Sequence, residues 1–322
     1  MEINRRAALA GVLASASSLG ACTSSGNADG PYPSRDITFI IPVGAGGGTD
    51  IYARLIGEGM EKHTPHPTNI IPMNIASGGG GKGITQLFRA PPDGYTVGIM
   101  TIPGIFTLQK VRRMPYDLSR FSWLGAVTQG ENFGLAVGAR SPLRSIGDLQ
   151  DLARKREITF AASGPEGTAY SATQVSAQML GLQYRMITGY RGSNDYITGA
   201  MRGDSDAVIA ALSSIRRLQD GGALRVLASF ELESTFPNVP GARELGQPDL
   251  AMITAERVIA GPPGMTDELR ATLSHAIVQA ASDPNVANWA NRIGERLNPR
   301  DGEAATALVE EMRAFFDRWD IA

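Results

Sequence analysis

The sequence predicts an α/β fold of two lobes, each built on a mostly parallel sheet. Short apolar segments of strand length alternate with longer amphipathic segments, and repeated β-α-β units imply parallel strands. The succession of strand, glycine-rich loop and helix start occurs at two places. Of the 322 residues, about 300 remain after an amino-terminal leader, and that length suits two lobes better than one core.

The amino-terminal 31 residues are predicted to precede the folded lobes. Residues 1–21 have the pattern of a bacterial lipoprotein signal peptide, since Arg5 and Arg6 precede a stretch of small apolar residues. The segment Leu19-Gly20-Ala21-Cys22 resembles a lipobox, so Cys22 would become the lipidated first residue of the mature protein. The alternative is a buried core cysteine. Residues 22–31 are small and polar and are typical of a flexible tether.

Charge and hydropathy argue against two classes of partner. The 30 basic and 32 acidic residues nearly cancel, so the chain offers no electrostatic field for nucleic acid. Beyond the leader, no apolar run reaches the ~18 residues that a membrane helix needs. We therefore expect an exported protein, attached to the outer face of the cell membrane or in the periplasm by its lipid alone. Both the general and the twin-arginine secretion routes remain open.

The segment from Ile37 to Gly59 predicts a strand, a glycine loop and a helix. Residues 37–43 are apolar and rich in β-branched side chains, and four of the next five residues are glycines. Thr49 or Asp50 can cap a helix whose apolar residues fall three or four positions apart. Such a loop beside the positive end of a helix suits a phosphate or a carboxylate. The alternative is a tight glycine turn without a ligand.

Neither glycine run of the first lobe matches a nucleotide-binding motif. Thr49 stands where a dinucleotide fingerprint that starts at Gly44 requires glycine, and the loop has no lysine for a P-loop. The second run, Gly78 to Gly81, has Ala76 and Gly83 where a P-loop requires a glycine and a hydroxyl residue. We therefore expect no nucleotide and no other cofactor.

The remaining elements follow from apolar periodicity. Ser145 to Asp148 has the spacing of a capping box at the start of a helix. Two long helices close the chain, with apolar stripes through Leu273 and Ile277 and through Met312 and Phe316. Segments predicted as strands are 69–75, 95–100, 133–137, 158–162, 207–211, 224–230 and 257–260.

The loop from Ser163 to Thr168 repeats the arrangement of strand, glycine loop and helix start. It follows the predicted strand 158–162 and precedes a helix predicted to end at Leu180. Ligands of parallel α/β sheets lie beyond the carboxyl ends of the strands. The two loops could therefore face each other across a cleft, as in a two-lobed binding protein.

Several short motifs occur in an order that resembles one family. Together they are similar to the substrate-binding proteins of tripartite tricarboxylate transporters, also known as Bordetella uptake gene receptors. The resemblance extends from about Tyr32 to Trp319. Its motifs are ITFIIPVGAGGGTDIYARLI after Tyr32-Pro33-Ser34, the Pro92-Asp93-Gly94-Tyr95-Thr96 turn, Met114-Pro115-Tyr116-Asp117, the Ser163 to Thr168 loop, Tyr190-Arg191-Gly192-Ser193, Phe236-Pro237-Asn238-Val239-Pro240 and Asp283-Pro284-Asn285-Val286.

The resemblance implies a fold and a function. The implied fold is a two-lobed periplasmic-binding-protein fold of type II, a Venus flytrap with a hinge. The implied function is that of a monomeric receptor that captures a small organic carboxylate and delivers it to a permease of one large and one small membrane subunit. With chain crossings near 128–133 and 253–257, the first lobe would comprise 32–130 plus 255–322, and the second 131–254.

The family's two ligand loops fall on 45–50 and 163–168 of this chain. Backbone amides and hydroxyls of these loops would hold the ligand carboxylate. Asp50 would either cap its helix or accept an amino group. The candidate ligand-binding residues are Ala45, Gly46, Gly47, Gly48, Thr49, Asp50, Ser163, Gly164, Glu166, Gly167, Thr168 and Arg257.

Two departures from the family put the usual ligand in doubt. The family often has Asp-Asn-Leu-Pro where this chain has Ala210-Ala211-Leu212-Ser213. The family's aromatic pair at the return crossing is replaced by Glu256-Arg257. Arg257 could grip a carboxylate in a bidentate way, or it could form an ordinary ion pair at the surface.

An enzyme is the rival class, and the residues give it little support. A secreted Rossmann-like oxidoreductase would need the missing fingerprint, and a hydrolase of the α/β type would need a Gly-x-Ser-x-Gly elbow, which is absent. His63, His66 and His275 are read as solvated surface residues, so neither a triad nor a metal site is predicted. A carboxylate sensor for a membrane signalling protein remains an alternative to transport.

Overall fold

The computed structural model describes residues 30–46, 48–292 and 296–321. The predicted signal peptide 1–21, the lipidation site Cys22 and the loop residue Gly47 lie outside these ranges. Among the described residues, no helix has the length and apolar character to span a bilayer.

Strands and helices alternate along most of the chain. The strands are β1 Ile37–Ile41, β2 Ile70–Asn74, β3 Thr96–Ile102, β4 Ser122–Thr128, β5 Glu131–Gly138, β6 Ile158–Ala161, β7 Tyr184–Ile187, β8 Val208–Ala211, β9 Leu224–Ser229, β10 Thr254–Gly261 and β11 Leu297–Arg300. The helices are α1 Gly48–Glu61, α2 Gly81–Arg89, α3 Gly104–Arg112, α4 Ile146–Ala153, α5 Thr168–Met179, α6 Ser193–Arg202, α7 Leu212–Asp220, α8 Asp267–Ala281, α9 Pro284–Arg292 and α10 Gly302–Phe316.

The first sheet has the strand order β11-β4-β10-β3-β1-β2. Strand β1 runs parallel to β2 and β3, whereas β10 runs antiparallel to both β3 and β4. In the second sheet, β5 lies between β8 and β9 and is antiparallel to both, while β6 and β7 form a parallel pair. A parallel bridge between Phe160 and Ala207 joins this pair to the chain just before β8.

The expectation of mostly parallel sheets is corrected by this topology. Both sheets are mixed, because β10 and β5 each carry the chain from one sheet to the other. A strand that enters a sheet from the opposite end runs against its neighbours, so each crossing strand is antiparallel to the strands beside it. The β-α-β units that predicted parallel pairing account for β1, β2 and β3 and for β6 and β7.

The two crossing strands lie side by side where the sheets meet. Thr254 pairs with Asn132, and Ala255 pairs with Glu131. Gly130 fits closely here, since a Cβ on it would lie 2.7 Å from the Thr254 side chain and 2.8 Å from Glu256 Oε1. Two adjacent chain crossings are the usual construction of a hinge between domains.

The apolar stripes of the sequence form the core faces of their helices. Tyr52, Ile56 and Met60 of α1 are fully buried and face α8, where Leu273 and Ile277 are fully buried too. Burial of side chains of this size contributes about 1.5–3 kcal/mol each. A second core cluster spans both sheets and includes parts of α3, α5 and α10.

Candidate functional site

The first glycine loop leads from the end of β1 into α1 with little side-chain cover. Gly44, Ala45, Gly46 and Gly48 are exposed. Gly46 has φ +86°, a left-handed conformation that favours glycine. A Cβ added at Gly44 or Gly46 would meet nothing within 4 Å. The loop backbone therefore faces open space, as a site for an anion beside a helix start requires.

Asp50 organises this loop from inside the first turn of α1. Its buried carboxylate accepts hydrogen bonds from the Gly46 amide at 2.8 Å, from Asn74 Nδ2 at 2.8 Å and from Arg54 Nε at 3.1 Å. Asn74 Nδ2 also donates to the Val43 carbonyl at 3.0 Å, so both sides of the loop are tied to β2. Burial acts to raise the pKa of Asp50, but these donors outweigh it and hold the pKa below its ordinary value.

The helix begins at Gly48, so neither Thr49 nor Asp50 occupies the cap position that the sequence suggested. Asp50 is the third helical residue and reaches back to the loop, much as the third residue of a capping box does. The carboxylate is thus occupied with the protein's own donors. This arrangement favours a role in holding the loop at the start of α1 over capture of a ligand amino group.

Arg257 lies beside the start of α1. Its guanidinium lies over the ring of Tyr52, with Cζ 4.5 Å from the ring centroid. Arg257 Nη2 lies 3.5 Å from the position that a Cβ on Gly48 would take. Arg257 pairs with Thr101 across β10 and β3, and the Thr101 hydroxyl is 3.4 Å from that of Thr49. The structure therefore brings the first loop, Thr49 and Arg257 together.

The second glycine run lies between the two predicted ligand loops, a position that the sequence motifs did not predict. Gly78, Gly79 and Gly80 all have left-handed backbones, with φ of +65°, +67° and +86°. A Cβ on Gly79 would lie 2.9 Å from the Glu166 Cβ, and one on Gly80 would lie 3.0 Å from the Pro42 Cβ. The P-loop test in the sequence analysis excluded a nucleotide motif but did not predict that these glycines pack against other loops. The run lies between β2 and α2, so it repeats the pattern of strand, glycine loop and helix. This repeat could have marked the run as a third loop at the carboxyl edge of the sheet, though not its contact with Glu166.

The second predicted loop, Ser163 to Thr168, packs against the first sheet's loops. The Gly167 amide donates to the Gly164 carbonyl at 2.9 Å, and the Gly189 amide donates to the Ser163 carbonyl at 2.9 Å. A Cβ on Gly104, the first residue of α3, would lie 3.3 Å from the Thr168 amide nitrogen. A Cβ there would also collide with the Glu166 carbonyl oxygen, so this close approach requires glycine.

Glu166 is the acidic member of the second loop. One of its carboxylate oxygens, Oε2, is buried without a hydrogen bond, and its ion-pair partner is Arg112, with Nη2 at 4.0 Å. The other, Oε1, lies 2.7 Å from the position of a Cβ on Gly164. The carboxylate is thus folded against its own loop. A negative charge here would repel a ligand carboxylate placed beside it.

α3 and α5 connect the two sheets next to these loops. The hydroxyls of Thr107 on α3 and Ser171 on α5 are fully buried and 2.5 Å apart. The hydrogen bond joins two helices whose first turns follow the loops at Gly104 and Thr168. It therefore links the first turns of α3 and α5 in this conformation.

A hydrogen-bonded network of polar groups contacts the backbone of Arg257 at the chain crossings. Glu256 Oε1 pairs with Arg300 Nη2 at 2.8 Å, and the Thr128 hydroxyl donates to Glu256 Oε2 at 3.3 Å. The same hydroxyl accepts from the Arg257 amide at 3.0 Å. Burial raises the pKa of Glu256 above its ordinary value, although Arg300 and the hydrogen bonds act in the opposite direction. The network positions the backbone that carries Arg257.

Arg257 also lines a cavity of about 740 Å³. Its lining comes from residues 128–132 at the crossing, from α7, and from Asn291, Arg292 and Arg296. This lining contrasts with the glycine loops, because half of its residues carry charged side chains.

Two expectations from the sequence concern metal-binding side chains and the three histidines in the described part of the chain. The described residues contain no group of three or more His, Cys, Asp and Glu side chains placed to hold a metal ion. His66 and His275 are exposed and His63 is half-buried, in agreement with their reading as surface residues.

Comparison with known proteins decides the family. Residues 52–311 match the family model described as tripartite tricarboxylate transporter family receptor. The chain belongs to this family. Its members are solute-binding receptors, so the enzyme alternative is excluded, and the resemblance found in the motifs is confirmed.

Two relatives illustrate the extent of the sequence similarity. The chain is 28% identical to protein BugT of Bordetella pertussis over 294 residues, which cover 87% of this chain and 85% of that protein. It is 27% identical to the UPF0065 protein of the tcbD–tcbE intergenic region of Pseudomonas sp. strain P51, over 99% of this chain and 93% of that protein.

Solved structures establish the periplasmic-binding-protein fold. The periplasmic binding protein BugD superposes with a TM-score of 0.71 at 21% identity, over 89% of this chain and 97% of that one. MatC of Rhodopseudomonas palustris, solved with bound malate, gives a TM-score of 0.72 at 21% identity, over 89% and 99% of the two chains. An R. palustris protein solved with adipate gives 0.66 at 22% identity, over 89% and 99%.

Proposed function

We propose that this receptor captures a small organic carboxylate outside the cytoplasm and delivers it to a membrane permease of one large and one small integral subunit. The observation that carries the proposal is the exposed glycine loop at the start of α1, with Arg257 beside Gly48. Free loop backbone at a helix start and a guanidinium are both groups that bind carboxylates.

Relatives of known ligand support this choice of chemistry. MatC was solved with malate and the second R. palustris protein with adipate, and both ligands are carboxylates. Family membership supports the permease as partner, since the family is that of a tripartite transporter's receptor. In our proposal the receptor acts as a monomer and binds neither nucleic acid nor a cofactor.

We assign ligand contact first to the loop around Gly46 and Gly48 and to Thr49 and Arg257. The loop from Ser163 to Thr168 closes the site from the other side, with the Thr168 hydroxyl as donor. Asp50 supports the first loop without touching the ligand, because its carboxylate already accepts three kinds of donor. The negative charge of Glu166 would repel a second ligand carboxylate, so such a group cannot lie directly beside Glu166.

The two lobes close about the hinge at the chain crossings. The first lobe comprises 32–130 plus 255–322 and the second comprises 131–254. The short pairing of Thr254 with Asn132 and of Ala255 with Glu131 supports a boundary at this place. Closure would bring the loops of both lobes onto the ligand.

Lipidation of Cys22 would attach the receptor to the membrane. Acyl chains contribute roughly 0.8 kcal/mol per buried methylene, so the anchor needs no protein surface. Replacement Cys22→Ser should release the full-length chain from membranes in salt-washed fractions and leave ligand affinity unchanged. A Cys22→Ser protein that stays membrane-bound would exclude the anchor.

A thermal-shift screen of the Cys22→Ser protein tests the binding function. Mono-, di- and tricarboxylates, aromatic acids and acidic amino acids are compared with sugars and nucleotides. A ligand at about a hundred times its dissociation constant adds about 2.7 kcal/mol to the free energy of unfolding. We expect a rise of several degrees with at least one carboxylate. A shift with sugars or nucleotides alone would overturn the proposal.

A further inference from the structure

Helix α2 carries its charged side chains on one outward stripe. Lys82, Gln86 and Arg89 are exposed, and their spacing of four and then three residues places them on the same side of the helix. The opposite side, which includes Ile84 and Leu87, is buried in the core. The helix contains no acidic residue, so the exposed stripe presents only positive charge to the solvent.

The end of α3 adds an exposed cation beside the start of α2. A Cβ on Gly81 would collide with the Met114 side chain, so the two segments are in close contact. Lys82 follows Gly81 in the chain, and Arg113 precedes Met114. Both cationic side chains are exposed, and they therefore belong to one surface.

A second contact brings another arginine to the end of α2. The rings of Phe88 and Phe121 pack with their centroids 5.3 Å apart, and Arg120 Cζ lies 5.5 Å from the Phe88 centroid. Arg120 is exposed and thus lies next to the residue that precedes Arg89. We call the surface formed by Lys82, Arg89, Arg113 and Arg120 the basic face.

Most of the positive charge on the basic face is not paired. Lys82, Arg89 and Arg113 form no ion pair with any residue that the structure describes. The neighbouring Lys110 and Arg112 do have carboxylate partners, and for that reason they are not counted in the face. The basic face therefore retains an excess of positive charge.

Arg120 marks the border of the basic face. It lines a cavity of about 300 Å³ together with Glu310 and Arg313 of α10, so charges of both signs adjoin the face on that side. The whole chain has a formal net charge of -2. Attraction to an anionic surface would therefore be local to the basic face and not a property of the whole protein.

The basic face and α1 lie on opposite sides of the first sheet. Ile40 of β1 belongs to the same core cluster as Ile84 of α2, whereas Phe39 belongs to the cluster of Tyr52 on α1. Successive side chains of a strand point to opposite faces of its sheet. A contact through α2 would thus leave α1 and the glycine loop at its start uncovered.

The chain enters the fold near one end of the basic face. The Tyr32 hydroxyl donates to the Gly94 carbonyl at 2.9 Å, and Arg35 Nη2 pairs with Asp93 Oδ2 at 3.1 Å. Asp93 follows Arg89 by four positions. The segment that leads to the amino terminus therefore lies near the end of α2.

Lipidation would keep this end of the basic face close to the bilayer. Cys22 precedes Gly30, the first described residue, by eight positions. An extended chain spans at most about 3.3–3.6 Å per residue, so the lipid would lie within about 30 Å of Gly30. The lipid and the basic face can thus meet the same membrane.

We propose that the basic face rests on anionic phospholipid headgroups of the membrane that holds the lipid anchor, and that this contact turns α1 and its glycine loop away from the bilayer. The inference rests on the proposed lipidation of Cys22. Each cation near an anionic membrane surface strengthens binding about fivefold. An acyl chain combined with a basic patch is a recurrent form of membrane attachment.

Vesicle binding of the mature chain, residues 22–322 with Cys22→Ser, tests the contact in the absence of the lipid. Sedimentation with vesicles of phosphatidylglycerol and phosphatidylcholine in equal parts is compared, at low salt, with sedimentation with phosphatidylcholine vesicles. We expect at least about tenfold tighter binding to the anionic vesicles. This difference should shrink as salt rises, because the charges are exposed.

A triple variant, Lys82→Gln, Arg89→Gln and Arg113→Gln, removes the unpaired cations of the basic face. It should lose about tenfold or more of its affinity for the anionic vesicles. Its melting temperature and its carboxylate affinity in solution should stay close to those of wild type, since all three side chains are exposed.

The matched control removes the same amount of charge around the second sheet. It combines Arg140→Gln, Lys155→Gln and Arg185→Gln, three exposed residues without an ion pair in the described part of the chain. Its net charge equals that of the triple variant, so it should bind the anionic vesicles as wild type does.

The outcomes separate the inference from the function on which it rests. Equal binding to the two kinds of vesicle, or unchanged affinity in the triple variant, overturns the inference while the receptor function stands. A triple variant that fails to support carboxylate uptake by cells, although wild type does not bind phosphatidylglycerol, also overturns it and assigns the basic face to an acidic protein partner. A Cys22→Ser chain that stays membrane-bound in salt-washed fractions overturns the anchor, and the inference with it.

Discussion

Arg54 donates its Nε hydrogen to both carboxylate oxygens of Asp50, at 3.1 Å to each. The two residues are one helical turn apart, and the pair is asymmetric in exposure, since the Asp50 side chain is 4% exposed and that of Arg54 is 45% exposed. The buried partner also receives the Gly46 amide. The shape of the ligand loop therefore depends on a carboxylate that we do not expect to touch ligand.

Replacement of Asp50 by alanine should destabilise the protein. It would leave the Gly46 amide, Asn74 and Arg54 without their acceptor, and loss of one partner of a buried charged group costs roughly 2–4 kcal/mol. Urea unfolding measures the change in free energy. Asp267→Ala is the control, because that side chain is 98% exposed and its ion-pair partner is the neighbouring Arg270. Equal stabilities of the two variants would contradict the role of Asp50.

Acid should weaken the second sheet through Asp206. Arg156 holds the pKa of Asp206 at about 2, below its ordinary 3.8, with help from the amide and hydroxyl of Thr159. Because the pKa is lowered in the folded protein, the Asp206 carboxylate stabilises the fold at any pH above its pKa in the unfolded chain. This contribution disappears as the pH falls toward 2. Asp206→Asn should be less stable than wild type at pH 7, and the gap should narrow between about pH 4 and pH 2. Melting temperatures across this range measure the gap, and a constant gap would refute the prediction.

Gly80 should tolerate a methyl group less well than Gly78. Both have left-handed backbones, so alanine strains either of them. Only the Cβ at Gly80 would also meet Pro42, whereas one at Gly78 would meet nothing within 4 Å. We expect Gly80→Ala to cost about 1–3 kcal/mol more than Gly78→Ala in free energy of unfolding. Similar costs would show that the glycine run is not packed against the end of β1.

Arg257→Gln should weaken carboxylate binding by about ten- to a hundredfold, because it removes the charge beside Gly48. Arg257→Lys should restore part of the loss, since lysine retains the charge without the planar fork. Titration calorimetry gives the affinities. Arg89→Gln is the control, as it removes a charge at the end of α2, away from the loop. Wild-type affinity in Arg257→Gln would exclude the residue from the site.

Much of the architecture was accessible from periodicity and turn residues. The strand and helix around the first glycine loop, the capping box of Ser145 and Asp148, and the buried stripes of α8 and α10 were predicted and are confirmed. In each case the short-range pattern and the tertiary burial agree. The family was also predicted from motif order and is confirmed.

The missed features depend on contacts between distant segments. Strand β4 is buried along its whole length and β11 pairs with it, yet neither shows the alternation typical of a half-buried strand. The mixed sheets follow from chain crossings that periodicity does not encode. The place of Gly79 against Glu166 joins residues 87 positions apart, so only the fold could reveal it.

The most direct test of the receptor account is a titration of carboxylates into wild type and Gly48→Val, followed by NMR analysis of the recovered ligand. A Cβ on Gly48 has room, at 3.5 Å from Arg257 Nη2, but the methyl groups of a valine there would fill the space between loop and guanidinium. Gly147→Val is the matched control, in the exposed first turn of α4. We predict that wild type and Gly147→Val bind a carboxylate and return it chemically unchanged, and that Gly48→Val binds it at least about tenfold more weakly. Conversion of the ligand, or wild-type affinity in Gly48→Val, would contradict the account.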